Sequence, residues 1–182
     1  MTFPHDPGAA ELIRHHEKWR HIYSAADQPA PNEPVREENR LIFRDGYPYD
    51  GWTAYILEPK GAGYNVLSAS TERRNEPHEG VAGYFSTIEE AGKFIIWKSA
   101  VGVRVALNLP SISQVWRAAG LDSRVEKIEV SEGIARYRLK ARPEIYFEMY
   151  SGGIKPENRL LPLTYDELDA VLLEGIPESV DK

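Results

Sequence analysis

The sequence predicts an α+β protein in which helices lie over antiparallel β-sheet. Three observations predict it. Period-two runs of apolar residues occur in the middle and again in the last third of the chain. Three Ser/Thr-x-x-Glu/Gln signatures each open a helical apolar stripe. The resulting order is helix, strands, two helices, strands, helix, which suits helices packed on a sheet.

Asp6-Pro7 reads as a helix start, an N-cap acid followed by a proline at the first helical position. Leu12, His16, Trp19 and Tyr23 then recur at helical spacing. From Asp27 to Asn39 the pattern dissolves, and Pro29, Pro31 and Pro34 with Glu33, Glu37 and Glu38 read as an extended acidic connection. Residues 1–39 are therefore expected to be an N-terminal helix and Pro-rich connection packed on the body, and residues 40–182 a single α+β domain.

Leu41 to Phe43, Trp52 to Leu57 and Tyr64 to Ala69 read as strands, with turn dipeptides at Asp45-Gly46 and Asp50-Gly51 and a hairpin at Pro59-Lys60-Gly61-Ala62-Gly63. A polar stretch, Ser70 to Gly80, precedes a short strand at Tyr84-Phe85. Ser86-Thr87-Ile88-Glu89 is the first capping box, with Ser86 as cap, and its helix carries rows Ile88, Ala91, Ile95 and Phe94, Trp97, Val101 before stopping by Pro110. Ser111-Ile112-Ser113-Gln114 is the second; Ile112, Val115, Trp116 and Ala119 mark a face, and Gly120 is a natural C-cap. A three-stranded meander follows: Ile128 and Val130, then Tyr137 and Leu139, then Ile145, Phe147 and Met149 on an apolar face, with charged residues opposite. Thr164-Tyr165-Asp166-Glu167 is the third capping box, and Pro177 stops its helix.

The composition narrows function. There is no cysteine, so disulfides, thiolate nucleophiles and cysteine metal sites are excluded. A formal net charge of −6 without a dense Lys/Arg cluster argues against nucleic acid as a partner. No apolar run approaches a membrane span, and no basic-then-apolar leader opens the chain, so a cytoplasmic protein is expected.

No glycine-rich phosphate loop, nucleophile elbow or His-Glu-x-x-His appears, so no catalytic residue, metal or cofactor is assigned. His15, His16 and His21 with Glu17 are the nearest metal candidates. A helix points neighbouring His15 and His16 about 100° apart, so solvated or capping histidines are expected instead. Acid pairs such as Glu37-Glu38 and Glu89-Glu90 are sequence neighbours that do not face each other. Binding is the expected mode of action. Tyr47, Tyr49, Trp52, Tyr55 and Tyr64 cluster around turns, where aromatic side chains serve as interface anchors as well as core. Arg73, Arg74, Asn75 and Glu76, in a polar stretch longer than a tight hairpin needs, are candidate partner contacts beside Tyr47, Tyr49 and Tyr64.

Trp52-Thr53-Ala54-Tyr55-Ile56-Leu57, Tyr84-Phe85-Ser86, Glu89-Glu90-Ala91-Gly92-Lys93, the segment Ser113 to Leu121 and the closing Pro156 to Leu168 together resemble the immunity proteins typified by the immunity factor for tuberculosis necrotizing toxin. The likeness spans roughly residues 40 to 178. It implies a cytosolic antitoxin of the polymorphic-toxin immunity class that binds a secreted NAD-glycohydrolase toxin and occludes its active site. The competing expectations are a ligand-binding or regulatory domain with a tyrosine-rich pocket and a structural subunit of a complex.

Overall fold

Helix α1 (Pro7–Ala25) starts where Asp6 accepts the Gly8 amide at 2.9 Å, in the computed structural model, which describes residues 6–71 and 77–180. Three more α-helices follow: α2 (Ile88–Ala106), α3 (Ile112–Ala119) and α4 (Tyr165–Leu173), with a short 3₁₀ helix at Pro156–Leu160. The strands are β1 (Val35–Glu37), β2 (Arg40–Asp45), β3 (Thr53–Lys60), β4 (Gly63–Ser70), β5 (His78–Phe85), β6 (Val125–Ser131), β7 (Ile134–Leu139) and β8 (Tyr146–Tyr150). All eight form one antiparallel sheet in the order β1-β2-β3-β4-β5-β8-β7-β6. The hairpin region and the meander are thus halves of a single sheet, joined where Tyr84 pairs with Glu148 and Phe85 with Phe147.

Residues paired across strands share a face, so the register fixes which side is core. Tyr137, Phe147 and Phe85 form a buried row across β7, β8 and β5. Their rings pack at 5.0 and 5.9 Å, and Phe85 meets Phe94 of α2 at 5.4 Å. On the other half, Leu41, Leu57 and Val66 continue the same buried face.

Helix α2 is covered on nearly every side, with Ala91 to Trp97 all buried. Two glycines make that possible. A Cβ on Gly92 would overlap the Tyr165 hydroxyl of α4, and one on Gly102 would overlap the Tyr23 hydroxyl of α1. Its two most deeply buried cations find partners within the protein, while Glu90 Oε2, Trp97 Nε1 and Arg104 Nε have none among the described residues. Lys93 donates to the Leu163 carbonyl at 2.7 Å and pairs with Glu90 at 2.9 Å. Arg104 donates to the carbonyls of Leu172, Glu174 and Pro110. Burial raises the Glu90 carboxyl above its ordinary range, against the pull of Lys93.

Several sequence expectations shift. The Pro-rich connection contains β1, whose Val35 pairs with Ile42. The α2 cap is Thr87, which accepts the Glu90 amide at 3.2 Å; Ser86 instead accepts the Tyr146 amide at 2.9 Å and ties the helix entry to β8. The Thr164/Glu167 box forms as read, with both reciprocal bonds. On α3 only Trp116 is buried, stacked on Trp97 at 5.7 Å, while Val115 faces outward. In β6 the alternation is inverted. Val125 pairs with core Leu139 and Lys127 with core Tyr137, so Ile128, paired with Arg136, lies on the outer face. As an edge strand, β6 can keep Lys127 on the inner side because its ammonium reaches the Gly153 carbonyl at 3.2 Å.

Phe147 and Arg138 give opposite tests of this register. Phe147→Ala is expected to cost about 3–5 kcal/mol in urea unfolding. Arg138, half-exposed and bonded to Glu126 at 2.8 Å, is expected to cost no more than about 1 kcal/mol on truncation. Equal costs at the two positions would contradict the assigned faces.

Candidate protein-binding surface

The strand directions carry one end of the sheet to a common set of connections. β2 ends at Asp45 and β3 begins at Thr53; β4 ends at Ser70 and β5 begins at His78; β6 ends at Ser131 and β7 begins at Ile134; β8 ends at Tyr150. Because all neighbours are antiparallel, the turns 46–52 and 132–133, the end of β4, the start of β5 and the end of β8 lie along this same end.

Here the sequence-predicted residues separate. Tyr47 and Tyr49 sit in the 46–52 turn, 46% and 78% exposed. The turn is braced: Asn32 accepts the Tyr47 amide at 3.1 Å and donates to its carbonyl at 2.9 Å, and the Arg44 guanidinium lies 5.0 Å over the Tyr47 ring. Trp52 packs edge-on against Tyr47 at 5.9 Å and covers the small outer-face cluster of Ile42, Ala54, Ile56, Leu67 and Ala69. Tyr64 belongs elsewhere. It opens β4 at the opposite end of the sheet, is buried, and its hydroxyl donates to Asp6 at 3.2 Å, so it anchors α1 and offers no contact surface. Arg73, Arg74, Asn75 and Glu76 lie outside the described residues. The strands run further than expected, so the connection spans residues 71–77; Thr71 at its base donates its amide to the Trp52 carbonyl at 3.2 Å and accepts the Gly51 amide.

The sequence reading missed the other half of this end. Val81, Val130 and Tyr150 are 56%, 40% and 72% exposed and, with Tyr84, Ile134 and Glu148, line a depression of about 250 Å³. The signal was present as Ile128 and Val130, placed on the core side by their alternation. In the depression Glu148 is paired with Arg136 at 2.8 Å, and on the β2–β5 half Arg40 is paired with Glu58 and Glu79. Exposed aromatic and aliphatic side chains framed by matched ion pairs suit a protein partner.

Two polar clusters lie on the helix side. A cleft of about 130 Å³ is lined by His16, Asp45, Thr53, Tyr55, Lys98 and Ser99. Burial lowers the Lys98 ammonium and raises the Tyr55 hydroxyl. Lys98 lies 4.1 Å over the Trp97 ring and 3.6 Å from Glu157. The second cluster corrects the reading of His15 and His16 as solvated. Both are buried, whereas His21 is exposed and Glu17 is bonded to Arg20. His15 stacks on Tyr165 at 4.5 Å, and its Nδ1 lies 2.8 Å from Asp169, which also accepts from Trp19 at 2.8 Å. His16 packs on Phe43 and its Nδ1 has no partner among the described residues.

The fold and this surface define an α+β protein with one helix-covered sheet face and a partly apolar sheet end. No family model matches the chain, and no curated protein does. Among solved structures it is similar to Rv3902c from M. tuberculosis, with a TM-score of 0.63 at 13% identity, covering 97% of this chain and 95% of that one. At that identity the likeness establishes a common fold. Among the described residues no helix is long and apolar enough to cross a membrane.

His16 gives a pH test. Burial, aided by nearby Arg20, lowers its pKa from 6.5 to about 4. Between those values the unfolded chain takes up a proton that the folded protein refuses, so stability falls as pH falls, by about 3 kcal/mol across the window. His16→Phe should remove that component. Urea unfolding at intervals from pH 7 to about 4 should show the variant losing less stability than the parent. Parallel curves would place His16 in contact with solvent.

Proposed function

We propose that this protein is a cytosolic immunity protein that binds a secreted NAD-cleaving toxin and covers its active site with the tyrosine-bearing end of the sheet. The observation that carries the reading is the convergence of Tyr47, Tyr49, Val81, Val130 and Tyr150 on one end of a rigid sheet. The resemblance of the sequence to the toxin-immunity family supplies the partner class. An interface of standard size buries roughly 800 Å² on each side, centred on a few aromatic anchors. Tyr49 and Tyr150 are the most exposed aromatics of this end and are its expected anchors. Arg73 and Arg74 enter from the sequence, as cations suited to carboxylates in a toxin cleft.

A small-molecule binding domain has one observation in its favour, the polar cleft beside His16 and Lys98. Its volume of about 130 Å³ is well under the roughly 300–1,000 Å³ that encloses a drug-sized ligand. Tyr47 and Tyr64 lie at opposite ends of the sheet and do not share a pocket.

The test is titration against the NAD-cleaving domain of a secreted toxin encoded beside this gene. The parent protein should inhibit stoichiometrically and cleave no NAD itself. Tyr49→Ala with Tyr150→Ala should weaken binding by about 2 kcal/mol or more, roughly 30-fold, through faster dissociation. Arg73→Ala with Arg74→Ala should cost on the order of 2–5 kcal/mol if the pair meets buried carboxylates. Full inhibition by the tyrosine double variant would remove this end of the sheet from the contact, and failure of the parent to bind would end the immunity reading.

A further inference from the structure

We propose that His15, Asp166 and Asp169 form a binding site for a divalent transition-metal ion of the Zn²⁺ type, bridging α1 to α4. Asp166 and Asp169 stand three residues apart and so share one face of α4. His15 projects from α1 toward them, and the ligand atoms of the three residues all lie within 4.8 Å of one another. One imidazole nitrogen and two carboxylates suit zinc in both donor type and charge. His15 Nδ1 and Asp169 Oδ2 are 2.8 Å apart, so a small opening lets both reach an ion at roughly 2.0–2.1 Å.

The surroundings are those of a ligand set held in place. Trp19 donates to Asp169 Oδ1 at 2.8 Å, which leaves Oδ2 toward the site. Glu11 Oε1 lies 3.3 Å from His15 Nε2, placed to accept a proton from that nitrogen once Nδ1 turns to the metal. In the metal-free protein Arg14 donates to Nε2 at 2.8 Å, so Nδ1 carries the proton and donates to Asp169. Metal binding therefore exchanges the tautomer, and the ring keeps one proton. The stacked Tyr165 ring fixes the imidazole plane.

The place is already one for a cation. The Lys18 ammonium sits 3.1 Å from Asp169 Oδ2, on a side chain 39% exposed that can swing into solvent. Asp166 and Glu11 also line a cleft of about 210 Å³ with Glu89, Thr164 and Tyr165, which brings solvent to the Asp166 side of the set. The sequence could not show this set, because His15 and Asp169 are 154 residues apart.

Calorimetric titration of the full-length protein with zinc chloride, alongside thermal unfolding, tests the site. The expected result is one ion per chain with micromolar or tighter affinity and a raised Tm, whereas Mg²⁺ has no effect. Asp166 is exposed, so Asp166→Asn should leave the metal-free Tm unchanged and weaken zinc binding by about 10-fold or more. Absence of stoichiometric zinc binding overturns the proposal. So does equal affinity in Asp166→Asn, which would place the ion on surface histidines such as His21 or His78.

Discussion

Everything in the molecule is arranged around the burial of α2. Between Glu90 and Trp97 this helix is covered by the sheet, α1 and α4 and leaves no solvent face for its polar groups, whereas Val101 and Val105 in its last turns reach the surface. Its two buried cations are spent on carbonyls at the ends of neighbouring segments, Lys93 on Leu163 just before α4 and Arg104 on Leu172 and Glu174 at its close. The glycines at 92 and 102 set how near α4 and α1 approach, each taking a tyrosine hydroxyl where a methyl group would stand. A side chain at Gly92 would press on Tyr165 of α4 and Leu12 of α1 at once, and close-packed interiors tolerate that poorly.

The same arrangement decides which apolar side chains of the sheet stay exposed. The helix-side face of the sheet is used up by α2 and its neighbours. The outer face of β2 to β4 buries its own cluster under Trp52, and the outer face of β7 and β8 carries matched ion pairs. Apolar side chains on the sheet that remain exposed gather at one end, on turns and strand termini held by Asn32, Thr71 and the β6–β7 hairpin. A rigid sheet presenting aromatic residues from its end keeps the entropy cost of binding low.

Much of this was legible in the chain. The helix starts at Asp6, Ser111 and Thr164 were readable because capping is local chemistry, and the alternation of β7 and β8 was readable because one face is fully buried. The misreadings share one cause, long-range partners invisible to local pattern. Ser86 resembled a cap until β8 claimed its hydroxyl. Ile128 and Val130 resembled core because an edge strand can invert its faces when inner-side charges find carbonyls nearby. His15 resembled a surface residue because Asp169 lies far along the chain. The exposure of Tyr47 and Tyr49 was readable from their turn dipeptides, while the placing of Val81 and Tyr150 at the same end was not, since only the order of strands brings them there.

The most direct measurement of the central claim is amide hydrogen exchange on the protein alone and in complex with a toxin's NAD-cleaving domain. The account predicts new protection in residues 46–52, 128–134 and 149–153, with the β3–β4 hairpin around Lys60 to Gly63 unchanged at the opposite end. Protection confined to that hairpin, or to the outer surfaces of α1 and α3, would contradict it.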